Sequence, residues 1–213
     1  QAKQHHYPAP FALIDLWQQQ ASNRQQHFAA EALSVAKLIQ TDTAQNLVRL
    51  FLLQDRLKAF GKQAKFEAQR VHVIGAGIMG GDIAAWCALQ GLTVTLQDQS
   101  APQIAPAIKR AHSLFKRRLK LPHLVQAAMD RLSPDIAGSG VARADVVIEA
   151  IYENLEAKQA LFKSIEPQLR ADAVLASNTS SIPLELLAEC LKQPKRLVGL
   201  HFFNPVARMQ LVE

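Results

Sequence analysis

The sequence predicts an α/β protein, a doubly wound and mainly parallel sheet preceded by an α-helical segment. Three observations carry that prediction. From Val71 onward, short apolar runs alternate with helical stretches, the pattern of parallel strands covered by helices on both faces. The first run, Val71-His72-Val73-Ile74, leads directly into Gly75-Ala76-Gly77-Ile78-Met79-Gly80 and then into a helix. The residues before it are helical in composition and contain no strand-like run.

In chain order, Pro8 and Pro10 punctuate the start and Phe11 to Gln20 reads as a short helix. Ala29 to Gln40 reads as a second, with Phe28, Leu33 and Leu38 apolar among small residues. Thr41-Asp42-Thr43 has the residue types of a helix cap. A third helix is expected from Ala44 to Phe60, with Leu47, Leu50, Phe51 and Leu57 apolar and Gly61 ending it. The expected domains are therefore a helical segment over residues 1–60, a polar linker over 61–70 and a sheet domain over 71–213.

Within the sheet domain, Ile83 to Leu89 is helical in composition and Gly91 is its stop. Met79, Ile83 and Cys87 fall at i, i+4 and i+8 and so share one face. Thr93 to Leu96 forms the second strand and ends at Gln97-Asp98. A basic helix follows to about Leu121, then a strand over Val146 to Glu149. Leu155 to Leu169 is amphipathic, with Leu155, Leu161, Phe162, Ile165 and Leu169 on the apolar side. Ala173 to Ala176 is the next strand, and Pro183 opens a helix through Leu191. Leu197 to Leu200 is a strand, and Gln210-Leu211-Val212 is expected to begin another.

The glycine turn carries chemistry. A G-x-G-x-x-G run by itself is most often a structural turn. Here the strand before it and the helix after it make it a dinucleotide-binding turn of Rossmann type. Gly75 allows the tight turn, Gly77 lets backbone approach a pyrophosphate, and Gly80 lets helix pack on strand. The helix N-terminus then faces the phosphates. Asp98 lies eighteen residues after Gly80, close to the offset of about 20 expected for the acid that binds the ribose 2′-hydroxyl. That acid favours NAD, because the extra phosphate of NADP would meet a like charge. Asp82 falls in the first helical turn, where it suits the helix dipole yet competes with an anion. It is expected to point away from the phosphates.

Composition excludes several classes. The chain has 213 residues, 49% hydrophobic and 20% charged, an ordinary globular balance. No apolar run is long enough to span a bilayer. The polar start Gln1-Ala2-Lys3-Gln4-His5-His6 does not resemble a signal peptide. Cys87 and Cys190 have no metal-ligand spacing and read as reduced thiols within helices, which points to a cytoplasmic location and to no metal. The net charge of +6 has a local source in Lys109, Arg110, Lys116, Arg117, Arg118 and Lys120. That cluster is either a solvated helix face or an anion site for a phosphate-bearing substrate. A nucleic-acid surface would interleave aromatics, and only Phe115 is present.

In an open α/β sheet, ligands bind at the carboxyl ends of the strands. Three polar stretches fall there: Glu149-Ala150-Ile151-Tyr152-Glu153-Asn154, Ser177-Asn178-Thr179-Ser180-Ser181 and His201-Phe202-Phe203-Asn204-Pro205. Taken with Leu211-Val212-Glu213 and the glycine turn, their order and spacing resemble the L-3-hydroxyacyl-CoA dehydrogenase family of fatty-acid β-oxidation. The resemblance covers about residues 71–213. More loosely, Phe28 to Leu57 resembles the helices that join the enoyl-CoA hydratase part to the dehydrogenase part in multifunctional β-oxidation α subunits.

The resemblance implies roles. His201 would take the 3-hydroxyl proton, Glu213 would orient it and stabilise its protonated form, and Ser180 would hydrogen-bond near substrate and nicotinamide. Ile78, Met79, Asp98, Ile151, Tyr152, Glu153, Lys158, Ser180 and Asn204 would contact the cofactor, with Lys158 also near the CoA side. Lys116 to Arg118 would meet CoA phosphates, and a thiolase β subunit would be the partner in the full complex. The chain begins on Gln1 and stops on Glu213 within an apolar run, so an incomplete enzyme is expected. Two other readings compete: a cofactor-binding but inactive linker or docking piece, and a related dehydrogenase for a small 3-hydroxy acid. The N-terminal helices speak against the latter.

Overall fold

In a computed structural model, residues 6–19, 23–62, 66–209 and 211–213 are described. Gln20, the expected end of the first helix, and Gln210, the expected start of the last strand, lie outside them. The chain divides into two compact units, residues 1–66 and 67–213.

The first unit holds three helices, α1 (Pro8–Gln18), α2 (Arg24–Ile39) and α3 (Asp42–Lys62). Prolines at the start of α1 suit a first turn, where the missing N–H has no partner to lose. Asn23 caps α2 by accepting the Gln26 amide at 3.0 Å. Thr41 marks the junction expected from its sequence: its hydroxyl donates to the Leu38 carbonyl and accepts the Ala44 amide. Gly61 does not end α3, which runs on to Lys62. None of residues 6–19, 23–60 and 66 is buried.

The second unit is a six-stranded parallel sheet of order β3-β2-β1-β4-β5-β6. Its strands are β1 (Arg70–Ile74), β2 (Thr93–Gln97), β3 (Leu132–Pro134), β4 (Val146–Glu149), β5 (Val174–Ser177) and β6 (Leu197–Gly199). Its helices are α4 (Ile78–Leu89), α5 (Ala101–Leu119), α6 (Pro122–Asp130), α7 (Leu155–Ile165) and α8 (Leu184–Ala188). Side chains alternate across each strand, so β1 feeds two cores. Val71 and Val73 pack with Ile83, Val94, Leu96, Ile104 and Phe115. Ile74 packs with Val147, Phe162, Ile165, Leu175 and Leu187. Gly91 stands just past α4 at φ +99°, the left-handed geometry that stops a helix.

Several elements differ from expectation. The sequence reading contains neither α6 nor β3. β3 is an edge strand with one buried residue and a proline, so it carries almost no strand signal. The amphipathic stretch from Leu155 ends as helix at Ile165 and tightens into a 3-10 turn over Glu166–Gln168, because Pro167 cannot donate. The helix after Pro183 stops at Ala188, and Cys190 sits in the turn beyond it. The final strand is replaced by an isolated antiparallel bridge between Phe202 and Val212.

Candidate active site

β1 and β4 lie side by side at the centre of the sheet, and the chain leaves them in opposite directions along it. The glycine turn sits at that divergence. Gly75 has φ +104°, and a Cβ there would stand 2.5 Å from the Ala150 carbonyl oxygen. A Cβ on Gly80 would stand 1.8 Å from the Gly75 carbonyl oxygen, so only glycine lets α4 approach. Gly77 is different: nothing lies within 4 Å of its Cβ position, and it caps α4. Its flank is open toward the helix N-terminus, where phosphates are favoured.

Asp98 follows β2 and faces this turn. Its carboxylate accepts the Ala76 amide at 2.7 Å and the Gln99 amide at 2.7 Å. A cavity of about 520 Å³ is lined by Gly75, Gly77, Asp98, Ala150, Ile151 and Tyr152 among others. It has the size of a small-molecule site, and the open glycine, the aimed helix and the carboxylate fit a dinucleotide. Asp82 is the fifth residue of α4, beyond its first turn. It pairs with Arg110 of α5 at 3.2 Å rather than facing the turn.

The other two strand ends meet through a buried charged network. Glu149 is fully enclosed and accepts from the Lys158 ammonium at 2.6 Å, the Ser177 hydroxyl at 2.6 Å and the Ile151 amide at 2.8 Å. Lys158 is itself enclosed and reaches Glu153 at 3.2 Å. Glu153 accepts from the Thr179 hydroxyl, the Ser180 and Ser181 amides and the Ser181 hydroxyl. Partial burial opposes the charge of Glu153, but the Thr179 and Ser181 hydroxyls and Lys158 outweigh it and hold its carboxyl down to about 2. The ammonium of Lys158, expected to contact the cofactor, is held by the two carboxylates and links Glu149 to the Glu153 that bonds the Ser180 loop.

His201 and Glu213 are brought together by backbone. The His201 amide donates to the Glu213 carbonyl at 2.7 Å, and the Glu213 amide returns to the His201 carbonyl at 3.0 Å. This places His201 Nδ1 3.7 Å from Glu213 Oε2, within ion-pair range. The Asn178 side chain accepts the Phe202 amide at 2.8 Å, and the Leu200 amide bonds the Ser177 carbonyl. The loop bearing Ser180 is thereby tied to the loop bearing His201. Phe203 packs against the His201 ring at 4.5 Å. Ile78, Tyr152, Ser180 and Asn204 are exposed, Met79 and Ile151 half-buried. Asn204 precedes Pro205 through a cis peptide bond.

Sequence reasoning placed Glu149, Ser177 and Asn178 in the polar stretches at the strand ends and Arg110 in the basic cluster, but gave none of the four an individual role. A polar residue ending an apolar run was the available signal for Glu149 and Ser177. The basic cluster, Lys120 excepted, lines a separate groove of about 990 Å³ with Pro205, Ala207 and Arg208, and Arg118 donates to the Ala207 carbonyl.

A parallel sheet of this order, with a glycine turn at its switch point and an acid after its second strand, defines a nicotinamide-dinucleotide-binding domain. The chain belongs to the 3-hydroxyacyl-CoA dehydrogenase NAD binding domain family, whose model matches residues 70–213. NAD is accordingly the cofactor. A fatty acid oxidation complex subunit alpha from Ectopseudomonas oleovorans is 39% identical over 97% of the chain and 30% of its own length. The chain thus spans about a third of such relatives. Among solved structures, 3-hydroxybutyryl-CoA dehydrogenase from Escherichia coli is 40% identical with TM-score 0.66, over 69% of this chain and 32% of that one. (S)-3-hydroxybutyryl-CoA dehydrogenase from Ralstonia eutropha is 33% identical with TM-score 0.65, over 68% and 53%. Among the described residues, no helix is long and apolar enough to cross a membrane.

Proposed function

We propose that the chain is the NAD-binding part of an enzyme that oxidises L-3-hydroxyacyl-CoA to 3-oxoacyl-CoA in fatty-acid β-oxidation. The observation that carries this reading is the His201–Glu213 pair beside the loop of Ser180. With Nδ1 turned to Glu213, Nε2 of His201 is the atom left to take the 3-hydroxyl proton. Bound NAD supplies the acceptor for the hydride that leaves C3. Glu213 holds the ring and offsets the charge His201 gains. Ser180, fixed at its amide by Glu153, offers a hydroxyl to the reacting oxygen. Asp98 receives the ribose hydroxyls. Lys116, Arg117 and Arg118 line a groove suited to CoA phosphates. Relatives named as subunit alpha of a complex support a partner subunit, for which a thiolase β subunit in the cytoplasm is our reading.

The test is turnover in the full-length protein. His201→Ala should lower kcat at least about a hundredfold, the lower size of a general-base contribution, with NAD affinity little changed. Glu213→Gln should cost less, since the base remains. Near-normal kcat for His201→Ala removes this mechanism.

A further inference from the structure

Arg110 makes two bonds that the dehydrogenase chemistry does not require. Its Nε donates to Asp82 at 3.2 Å, and its Nη2 donates to the Gly77 carbonyl at 2.9 Å. Gly77 is the residue with the open flank at the N-terminus of α4, and its carbonyl also accepts the Gly81 amide. Gly81 makes the arrangement possible, because a Cβ there would stand 2.7 Å from Arg110 Nη2 and 2.6 Å from Ala107 Cβ. Asp82 and Arg110 are both half-exposed, with side chains 30% and 39% accessible. Gly77 lines the cavity with Asp98, whereas Arg110 lines the basic groove. One guanidinium therefore stands between the two.

We infer that Arg110 is a positioning residue for the cofactor pyrophosphate, resting on the NAD assignment above. A lone Asp82 close to the phosphate-binding end of α4 would repel an anion. Arg110 offsets that charge and at the same time fixes the Gly77 peptide whose open side the pyrophosphate must approach. The planar fork of arginine is what allows both bonds at once, and lysine cannot reproduce it.

The experiment is a titration of the chain with NADH, ADP-ribose and adenosine, the last lacking the pyrophosphate. Arg110→Gln should weaken NADH and ADP-ribose about tenfold, the size of a partly exposed charge-assisted bond lost together with an unpaired acid left behind. Adenosine, followed by its competition with NADH, should be unaffected. Asp82→Asn in the Arg110→Gln background should recover most of the loss, and Arg110→Lys should fall between wild type and Arg110→Gln. Equal NADH affinity in wild type and Arg110→Gln overturns the inference, as does a loss that extends equally to adenosine, the mark of a purely structural role. If Arg110→Gln lowers the melting temperature, Arg110→Lys, which keeps the charge opposite Asp82 but not the planar fork, carries the same ligand comparison, with a smaller loss confined to NADH and ADP-ribose. A wild-type chain that takes no NADH overturns the cofactor assignment, and this inference falls with it.

Discussion

At the scale of single residues, the choice between cofactors is the role proposed for Asp98. Its carboxylate is already fastened to the glycine turn by the Ala76 amide, so it is aimed before any ribose arrives. Asp98→Ala should therefore narrow the preference for NADH over NADPH, removing both an acceptor and a repulsion. Parallel fluorescence titrations with the two cofactors measure it, and a wild type that binds NADPH as tightly as NADH removes the role. His72 sets a pH response. It is fully enclosed on β1, with Thr95 at 2.7 Å and Gln97 at 2.8 Å. Burial lowers its pKa below the ordinary 6.5, against the weaker opposing pull of the Gln97 amide oxygen and the Asp135 carboxylate. The folded state thus resists a proton that the unfolded chain takes up near 6.5. Stability is whole above that value and falls as pH drops below it. Urea midpoints followed from about pH 8 down to about pH 5 should decline more steeply for wild type than for His72→Gln. Parallel curves would mean the imidazole is not the source.

At the scale of elements, two glycines with opposite surroundings make a paired test. A Cβ on Gly140 would meet Thr95 Oγ1 at 2.2 Å and His72 Nδ1 at 2.5 Å, so the short turn over Ser139–Arg143 is pressed against β1 and β2. Gly140→Ala should cost about 1–3 kcal/mol, the usual range for overpacking. Gly77→Ala meets nothing and should leave the melting temperature unchanged while weakening NADH, since its methyl stands where the phosphates approach. An unchanged melting temperature for Gly140→Ala would show that the turn yields freely. The contrast also shows what a sequence reveals. The glycine turn, Asp98 and the loops of Ser180 and His201 were legible because spacing along one chain segment specifies them. β3 was not, because Pro134 and a single buried leucine look like loop. Glu149 and Lys158 were not legible as a buried pair, because each finds its partner only when α7 packs beside β4. Arg110 is one of six cations in a cluster, and nothing local distinguishes it. Its partner lies on α4.

At the scale of the whole molecule, the two units differ in how they are held. The strands of the sheet unit carry fully enclosed residues such as Val73, Leu96, Val147 and Leu175. The helical unit has no buried residue among 6–19, 23–60 and 66, and it exposes Trp17, Phe51, Leu57 and Phe60. Local opening is easiest where little apolar surface is buried. Limited proteolysis should therefore cut within residues 8–62 first and leave a product containing the sheet that still binds NADH. Mass spectrometry of the early fragments checks this, and first cuts inside the sheet unit would contradict it. The strand order has a further consequence for the chain as it is made. β1 takes β2 as its neighbour on one side and β4 on the other. A ribosome delivers β2 soon after β1, but β3 and then β4 only after α5 and α6. Until then the edge Val71–Ile74 stands unpaired, and Glu149 and Lys158 cannot yet neutralise each other. A nascent chain paused before Val146 presents that apolar edge to its neighbours, so the centre of the finished sheet is its most vulnerable part during synthesis.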